Sequence, residues 1–153
     1  VMSLVRQLPN QHYTIVTSGA NIAIELSQRS RSTVSCVGGQ ISSSTLSLSG
    51  PQAEAFLATV NIDTAVLAAT GYSTGAGFTV GSYTENSLKR RVIQKADKVI
   101  LLIDRSKLGR TLPFTFASLS DIDVVICDAP LPEDFIQAAR AAGTEVLQVQ
   151  PAK

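Results

Sequence analysis

Two uninterrupted apolar runs constrain the fold of this chain more than any other feature. The first, KVILLID, occupies residues 98–104, and the second, DIDVVICDA, occupies residues 121–129. Neither run alternates between apolar and polar residues, so a strand formed by either one has both faces buried. Such strands are typical of parallel sheets, because the connections between parallel strands place helices over both faces. The two runs therefore predict an α/β fold.

The other predicted elements alternate along the chain in the same way. Segments rich in β-branched residues predict strands, and apolar residues at helical spacing predict helices. The further predicted strands are residues 13–18, 32–39, 63–70 and 144–149. The predicted helices are residues 20–29, a helix with Pro51 at its first position, a helix from Ser82 or Thr84 to about Asp97, and residues 132–143. Between them, residues 71–81 are predicted to be a glycine-rich loop. This order favours an open, mostly parallel sheet with helices on both faces, a Rossmann-like arrangement.

Length and charge limit the classes of function. The 153 residues fit one domain, and no linker or internal repeat divides them. Lys and Arg number 13 against 12 Asp and Glu, and this net charge of +1 argues against general nucleic-acid binding by the chain alone. Because no run is long enough to cross a bilayer and no signal peptide is recognisable, we expect a cytoplasmic protein without membrane contact. Cys36 and Cys127 lie in strand-like runs and are predicted to be reduced and buried.

Polar residues and glycines stand at four carboxyl ends of the predicted strands. Ligands of open parallel sheets bind beyond these ends. The residues concerned are Thr17 and Ser18, Gly38 and Gly39, Gly71, and the segment from Asp104 to Lys107. Glycines allow close backbone approach to a phosphate, but they also serve tight turns. Lys107 can reach an anionic ligand or lie on an exposed loop, and Asp104 can orient Lys107, bind a hydroxyl or cap a turn.

The stretch YTENSLKRRVI, residues 83–93, contains three consecutive cations. Glu85 and Lys89 are four residues apart, so they share a helix face and can form an ion pair. A purely structural role is also open, since Ser82 and Glu85 have the spacing of a capping box. Arg90 and Arg91 lie about 100° and 200° further round the helix, so the three cations cannot all face one ligand. We predict a solvent-exposed or intersubunit position for both arginines.

The sequence offers no recognisable catalytic or metal-binding arrangement. His12 is the single histidine, and it precedes a strand instead of following one. With this histidine and two separated cysteines, neither a metal site nor a Ser-His-Asp or Cys-His arrangement can be assembled. No catalytic residue, metal or cofactor is predicted.

Several stretches in register resemble the C-terminal effector-sensing domain of the DeoR family of bacterial sugar-metabolism repressors. They cover roughly residues 1–149 and are TIVTSGANIAIEL, VGGQISSSTLSLSGPQAEAFL, GFTVGSYTENSLKRRVIQKADKVILLIDRSKLGR and FASLSDIDVVICDAPLP. The resemblance implies a fold similar to ribose-5-phosphate isomerase and glucosamine-phosphate deaminase, which bind phosphorylated sugars. The chain departs from the family at Thr17-Ser18, where Thr-Asn is usual, and before Gly71, where Gly-Ala is favoured.

The resemblance also implies a function and an assembly. The family has an N-terminal helix-turn-helix domain and a strand ending in an Asp-x-Gly-Thr-Thr-like loop, and neither is found here. We therefore expect an N-terminally truncated effector domain, residues 1–153, that forms a homo-oligomer and reaches operator DNA only through the absent domain. The family's Glu-x-x-x-Lys motif lies on the sugar-site helix. This placement implies a ligand role for Lys89, with Glu85 orienting it.

The main hypothesis is thus a domain that senses a phosphorylated sugar, and the alternative is an enzyme. Lys89 and Lys107 are predicted to converge with Thr17, Gly38 and Gly71 on one phosphosugar pocket. A sugar-phosphate isomerase or deaminase of the same fold would need a general base beside C1 and C2 of the sugar. Glu85 is the one candidate for that base.

Overall fold

The computed structural model describes residues 1–149 and divides the chain into two compact units, one spanning Val1–Val60 and the other beginning at Asn61. The first contains helices α1 (Met2–Val5), α2 (Ala20–Arg29) and α3 (Pro51–Ala58), and strands β1 (Thr14–Thr17), β2 (Thr33–Cys36), β3 (Gln40–Ile41) and β4 (Leu48–Ser49). The second contains β5 (Ile62–Ala68), β6 (Gly71–Ser73), β7 (Gly77–Val80), α4 (Tyr83–Lys95), β8 (Ala96–Ile103), β9 (Phe114–Ala117), β10 (Val124–Cys127), α5 (Glu133–Ala142) and β11 (Glu145–Gln148).

In the first unit, β1 and β2 form a parallel pair and β3 and β4 a short antiparallel pair. Helix α2 has the predicted bounds and buries Leu26. Pro51 begins α3, as predicted, where its missing N–H leaves no hydrogen bond unmade. The prediction that Cys36 is buried is wrong. Cys36 is exposed at the end of β2, which is paired on one side only within this unit, so the apolar run does not enclose it.

The centre of the second unit is a four-stranded parallel sheet in the order β11-β10-β8-β5. The two apolar runs form β8 and β10, its inner strands, which confirms the prediction of a parallel α/β sheet. Side chains of β8 alternate in depth: Val99, Leu101 and Ile103 are buried, whereas the residues between them are half-buried. Helix α5 ends at Gly143, which adopts the left-handed conformation (φ 78°) expected of a glycine after a helix.

The prediction of a loop over residues 71–81 is wrong. Strands β6 and β7 form an antiparallel hairpin there, and β9 extends it to a three-stranded sheet. The hairpin is stabilised by aromatic packing, with the ring centroids of Tyr72 and Phe78 4.8 Å apart and those of Tyr72 and Phe135 also 4.8 Å apart. Gly77 has φ 72°, and a side chain there would meet the Ala117 carbonyl oxygen at 2.5 Å. The glycines thus serve a tightly packed sheet and not an open loop.

No helix within residues 1–149 is both long and apolar enough to span a membrane.

Candidate functional site

The carboxyl edge of the four-stranded sheet in the second unit holds four of the predicted site residues. The strands end nearly level there, because Ala68 of β5 pairs with Leu102 of β8, and Ile103 of β8 pairs with Cys127 of β10. Glu85 and Lys89 reach this edge from α4, and Asp104 and Lys107 follow β8 directly. Since β5 and β8 are neighbours, both lysines belong to the same edge of the sheet.

Lys89 is held at the end of β5 by two polar contacts. Its ammonium donates a hydrogen bond to the carbonyl oxygen of Ala68, the last residue of β5. The same Nζ lies 3.1 Å from Oε1 of Glu85, one helical turn earlier on α4. Helix α4 begins after Ser82, whose hydroxyl accepts a hydrogen bond from the Glu85 N–H at 3.5 Å. Ser82 is therefore the helix cap that the sequence predicted, while the Glu85 side chain pairs with Lys89.

The environment of Lys89 disfavours its charge. The side chain is 15% exposed and that of Glu85 is 24% exposed. Burial lowers the pKa of Lys89, and the opposing effect of the Glu85 charge and hydrogen bond does not fully offset it. The ring of Phe116 lies beneath the ammonium, with Nζ 5.1 Å from the ring centroid. An anion that reached this amine would add to the effect of Glu85 in favouring the charged form.

Asp104 and Lys107 form a looser pair in a 3-10 turn. Asp104 caps the turn, since its Oδ1 accepts hydrogen bonds from the backbone N–H of Ser106, at 2.9 Å, and from the Ser106 hydroxyl. The Ser106 hydroxyl bond is the main reason that the pKa of Asp104 is lowered, and Lys107 adds a smaller effect in the same direction. Lys107 Nζ lies 3.9 Å from Asp104 Oδ2, and the two side chains are 31% and 46% exposed. Capping and pairing, two of the interpretations left open by the sequence, are both present.

The segment that carries Lys107, residues 104–112, is fastened to the antiparallel sheet; we call it the Lys107 loop. The Gly109 N–H donates to the Tyr72 carbonyl oxygen at 2.8 Å. The Leu112 N–H donates to the buried Thr79 hydroxyl at 3.0 Å. Gly71 provides clearance, because a Cβ at that position would lie 2.5 Å from the Arg110 carbonyl oxygen and 2.7 Å from Leu112 Cδ1. Close packing of the Lys107 loop is therefore sufficient reason for a glycine at position 71, and a ligand role for Gly71 stays a prediction.

In the first unit, Thr17 and Ser18 lie at the carboxyl end of β1, next to the hairpin formed by β3 and β4. The Thr17 hydroxyl accepts a hydrogen bond from the Gly19 N–H at 3.0 Å. The carbonyl oxygen of Ser18 accepts from Leu48 N–H at 2.7 Å, and the Ala20 N–H at the start of α2 donates to the Leu46 carbonyl oxygen at 2.9 Å. The hairpin thus occupies the Ala20 N–H, a donor at a helix start that a phosphate could otherwise use.

Gly38 and Gly39, which follow β2 in the first unit, both have positive φ angles, of 78° and 95°. Space around Gly38 is open, whereas a side chain on Gly39 would collide with the Ser49 carbonyl oxygen. The convergence of these strand ends with Lys89 and Lys107 on one phosphosugar pocket stays a prediction.

The remaining sequence predictions concern the two helix arginines, His12, Cys127 and metal binding. Arg90 and Arg91 are both exposed, as predicted. His12 is exposed, and its Nδ1 lies 2.8 Å from the Arg31 carbonyl oxygen. Cys127 is a buried thiol whose pKa is raised, chiefly by that burial. Across residues 1–149, no group of three or more His, Cys, Asp or Glu could hold a metal ion.

Three contributors to the Lys89 environment and the Lys107 turn were not predicted from the sequence: Phe116, the Ala68 carbonyl and Ser106. The segment Phe114–Ala117 alternates aromatic and small residues, a strand signal of period two that could have revealed β9. Ser106 lies two residues after Asp104, the spacing at which an aspartate accepts from a turn N–H. The Ala68 carbonyl has no sequence signal, because every residue carries one.

The chain matches the family model of the DeoR C terminal sensor domain over residues 1–129. It is similar to the HTH-type transcriptional regulator GlpR of Haloferax volcanii, with 34% identity over 147 residues, which is 95% of this chain. It is also similar to the HTH-type transcriptional repressor GlcR of Bacillus subtilis (29% identity, 96% of this chain) and to the glycerol-3-phosphate regulon repressor of Escherichia coli (28% identity, 85% of this chain). The chain spans 57%, 57% and 52% of these three relatives, or about half of their length.

Proposed function

Because the chain belongs to the DeoR family through its C-terminal sensor domain, we propose that it binds a phosphorylated sugar or a related metabolite and thereby controls a transcription regulator. The observation that carries this proposal is the Lys89 ammonium, which is held at the carboxyl end of β5 with Lys107 following the neighbouring strand. Open parallel sheets bind ligands at this edge.

The two lysines suit a phosphate, and the two carboxylates suit sugar hydroxyls. An ammonium is a compact charge with three donors, and two of the donors of Lys89 are used by Ala68 and Glu85. The partly exposed Lys107 supplies a second cation on the Lys107 loop. Carboxylate oxygens of Glu85 and Asp104 keep lone pairs that can accept from hydroxyls. A phosphorylated polyol or sugar combines both kinds of group in one small molecule.

The regulatory consequence follows from linkage between ligand binding and assembly. One of the similar proteins is named a glycerol-3-phosphate regulon repressor and another an HTH-type repressor. By analogy, this domain would act in the cytoplasm as a homo-oligomer whose subunit arrangement sets the spacing of helix-turn-helix domains on operator DNA. A metabolite that binds one arrangement more tightly shifts the population toward it.

An isomerase or deaminase is less well supported. Those reactions need a carboxylate free to take a proton from the sugar, and Glu85 is engaged in a 3.1 Å ion pair with Lys89. The proteins similar to this chain are named as transcription regulators.

Isothermal titration calorimetry with a matched panel tests the proposed function. The panel pairs glycerol 3-phosphate, glucose 6-phosphate and fructose 6-phosphate with their unphosphorylated counterparts. We expect binding by at least one phosphorylated compound and none by its counterpart. Binding that is indifferent to the phosphate would contradict the proposal. Incubation of each bound compound with the protein, followed by NMR of the sugar, separates sensing from turnover, and conversion would favour the enzyme.

A further inference from the structure

The aromatic side chain beneath Lys89 has no part in the proposed ligand contacts, yet it borders the amine directly. Phe116 lies on β9 and is 5% exposed. Its ring centroid is 5.1 Å from Lys89 Nζ, within the distance at which a cation is attracted by a ring face. The same ring packs against Phe78 at a centroid distance of 6.4 Å, so its position is fixed from the core side.

The other neighbours of the amine leave its charge poorly compensated. Glu85 is the charged side chain that acts on Lys89 among the described residues, and the Ala68 carbonyl adds one neutral acceptor. Burial outweighs the effect of Glu85. A ring face beneath the ammonium favours the charged form without adding a second anion that would repel a phosphate.

We propose that Phe116 is a positioning residue that holds the Lys89 ammonium, in its charged form, at the carboxyl end of β5. The consequence for the ligand, which rests on the proposed function, is selectivity for an anion. Glu85, the Ala68 carbonyl and the Phe116 ring contact the amine, so a ligand approaches through the small part that stays exposed. A neutral sugar hydroxyl gains only a hydrogen bond from an amine so placed, whereas a phosphate also gains the attraction between opposite charges where water is largely excluded.

Phe114 provides a matched control on the same strand. It lies two residues before Phe116 and packs against Tyr83 at the start of α4, with ring centroids 5.7 Å apart. Both phenylalanines therefore support α4, but of the two it is Phe116 that lies beneath the ammonium. A purely structural role for Phe116 predicts the same behaviour at both positions.

The test replaces each phenylalanine in turn by mono-, di- and trifluorophenylalanine through stop-codon suppression in the 153-residue chain. Fluorine withdraws charge from the ring face while nearly keeping the shape of the side chain. The Lys89 pKa is then followed by heteronuclear NMR of labelled lysine without ligand, and the Lys89→Met variant assigns the resonance. At position 116 we expect the Lys89 pKa to fall stepwise with fluorine number, and at position 114 to stay constant.

Binding of inorganic phosphate gives a second readout. We expect about a two- to tenfold weaker affinity with trifluorophenylalanine at position 116, the range spanned by cation–π contacts of partly buried cations. A Lys89 pKa that is insensitive to fluorination at 116, or equally sensitive at both positions, would overturn the role of Phe116. If the pKa series holds and the unmodified protein binds none of the phosphorylated compounds, the positioning role stands and the proposed function fails.

Discussion

Two ion pairs of the second unit, Lys89–Glu85 and Lys107–Asp104, each join a lysine to a carboxylate but have different surroundings. Lys89 and Glu85 are 3.1 Å apart on a regular helix, and the lysine also contacts a strand carbonyl and an aromatic ring. Lys107 and Asp104 are 3.9 Å apart in a 3-10 turn, and Asp104 is already occupied by Ser106. Coulomb interactions strengthen as water is excluded, so the first pair is sensitive to any change nearby. The second pair is screened by solvent and salt.

The different surroundings also suit the two lysines to different roles, Lys89 to direct contact with a phosphate and Lys107 to the attraction of anions from solution. A partly buried cation whose charge is incompletely compensated is suited to form the strong contact to a phosphate. An exposed lysine attracts anions from a distance and adapts to ligands of different size. Together, the two kinds of site would bind the phosphate group firmly while leaving the sugar end variable. Four predictions test this division, taken from the largest expected effect to the smallest.

Replacing Lys89 by Ala should have the largest effect on binding. We expect a loss of about 1.5–3 kcal/mol in the binding free energy of a phosphorylated ligand, the size of a hydrogen bond to a charged group. Calorimetric titration of wild type and variant measures the loss. Arg90→Ala is the matched control, since this neighbouring cation is exposed on the same helix. If both variants bound with equal affinity, Lys89 would not be a ligand contact.

Replacing Gly71 by Ala should destabilise the second unit. The new methyl group would collide with the Arg110 carbonyl oxygen and the Leu112 side chain, so the Lys107 loop must shift. We expect a loss of about 1–3 kcal/mol in the free energy of unfolding, as for other overpacked sites. Urea denaturation measures this loss. Gly75→Ala serves as the control, because no atom lies within 4 Å of a Cβ at that position and its φ is not positive. Equal stability of the two variants would show that the Lys107 loop does not pack closely against Gly71.

The pH dependence of stability should reveal the buried state of Lys89. Folding lowers its pKa below the ordinary value of 10.5, so the unfolded chain binds more protons between the lowered pKa and 10.5. The contribution of Lys89 to the free energy of unfolding must therefore increase as the pH rises through this window. Tyr72, whose pKa is raised mainly by burial, acts in the opposite sense from its ordinary value of 10.0 upward, so the two effects overlap.

The difference between wild type and Lys89→Met isolates this contribution, since Tyr72 is common to both. We expect the wild type to gain stability relative to the variant as the pH rises toward 10.5. Denaturant midpoints measured at several alkaline pH values provide the comparison. Parallel pH profiles would mean that Lys89 is as well solvated in the folded protein as in the unfolded chain.

Much of this arrangement follows from sequence, and the exceptions have physical causes. The inner strands β8 and β10 were predictable because continuous apolar runs have one favourable location, and the Glu85–Lys89 pair because helix geometry fixes its spacing. The hairpin was missed because glycine is ambiguous: it permits an open loop, and it equally permits the close backbone contact seen at Gly77. Residue spacing along the chain thus specifies β8, β10 and the Glu85–Lys89 pair, whereas the hairpin depends on packing between residues that are distant in the sequence.

The position of Phe116 also depends on packing between residues that are distant in the sequence. Its contact with Lys89 joins residues 27 positions apart in the sequence. The contact depends on how β9 pairs with β7, and that pairing contains a register shift between Phe78 and Thr79. A shift of one residue turns every following side chain to the other face of a strand. No spacing rule within the sequence specifies such an irregularity, so the ring beneath the amine could be found only in the folded chain.

Replacing Lys107 by Ala should have the smallest effect on stability. Its 3.9 Å pair with Asp104 is partly exposed, and Asp104 keeps its Ser106 hydrogen bonds when the lysine is removed. We expect a change of less than about 0.5 kcal/mol in the free energy of unfolding, which is typical of exposed ion pairs.

If Lys107 steers anions, the Lys107→Ala variant should bind phosphorylated ligands more slowly than the wild type at low salt and equally fast at high salt, because salt screens exposed charges. Stopped-flow association rates at two ionic strengths measure this effect. A loss of affinity as large as that of Lys89→Ala, persisting at high salt, would place both lysines in direct contact with the ligand and remove the distinction between the two pairs.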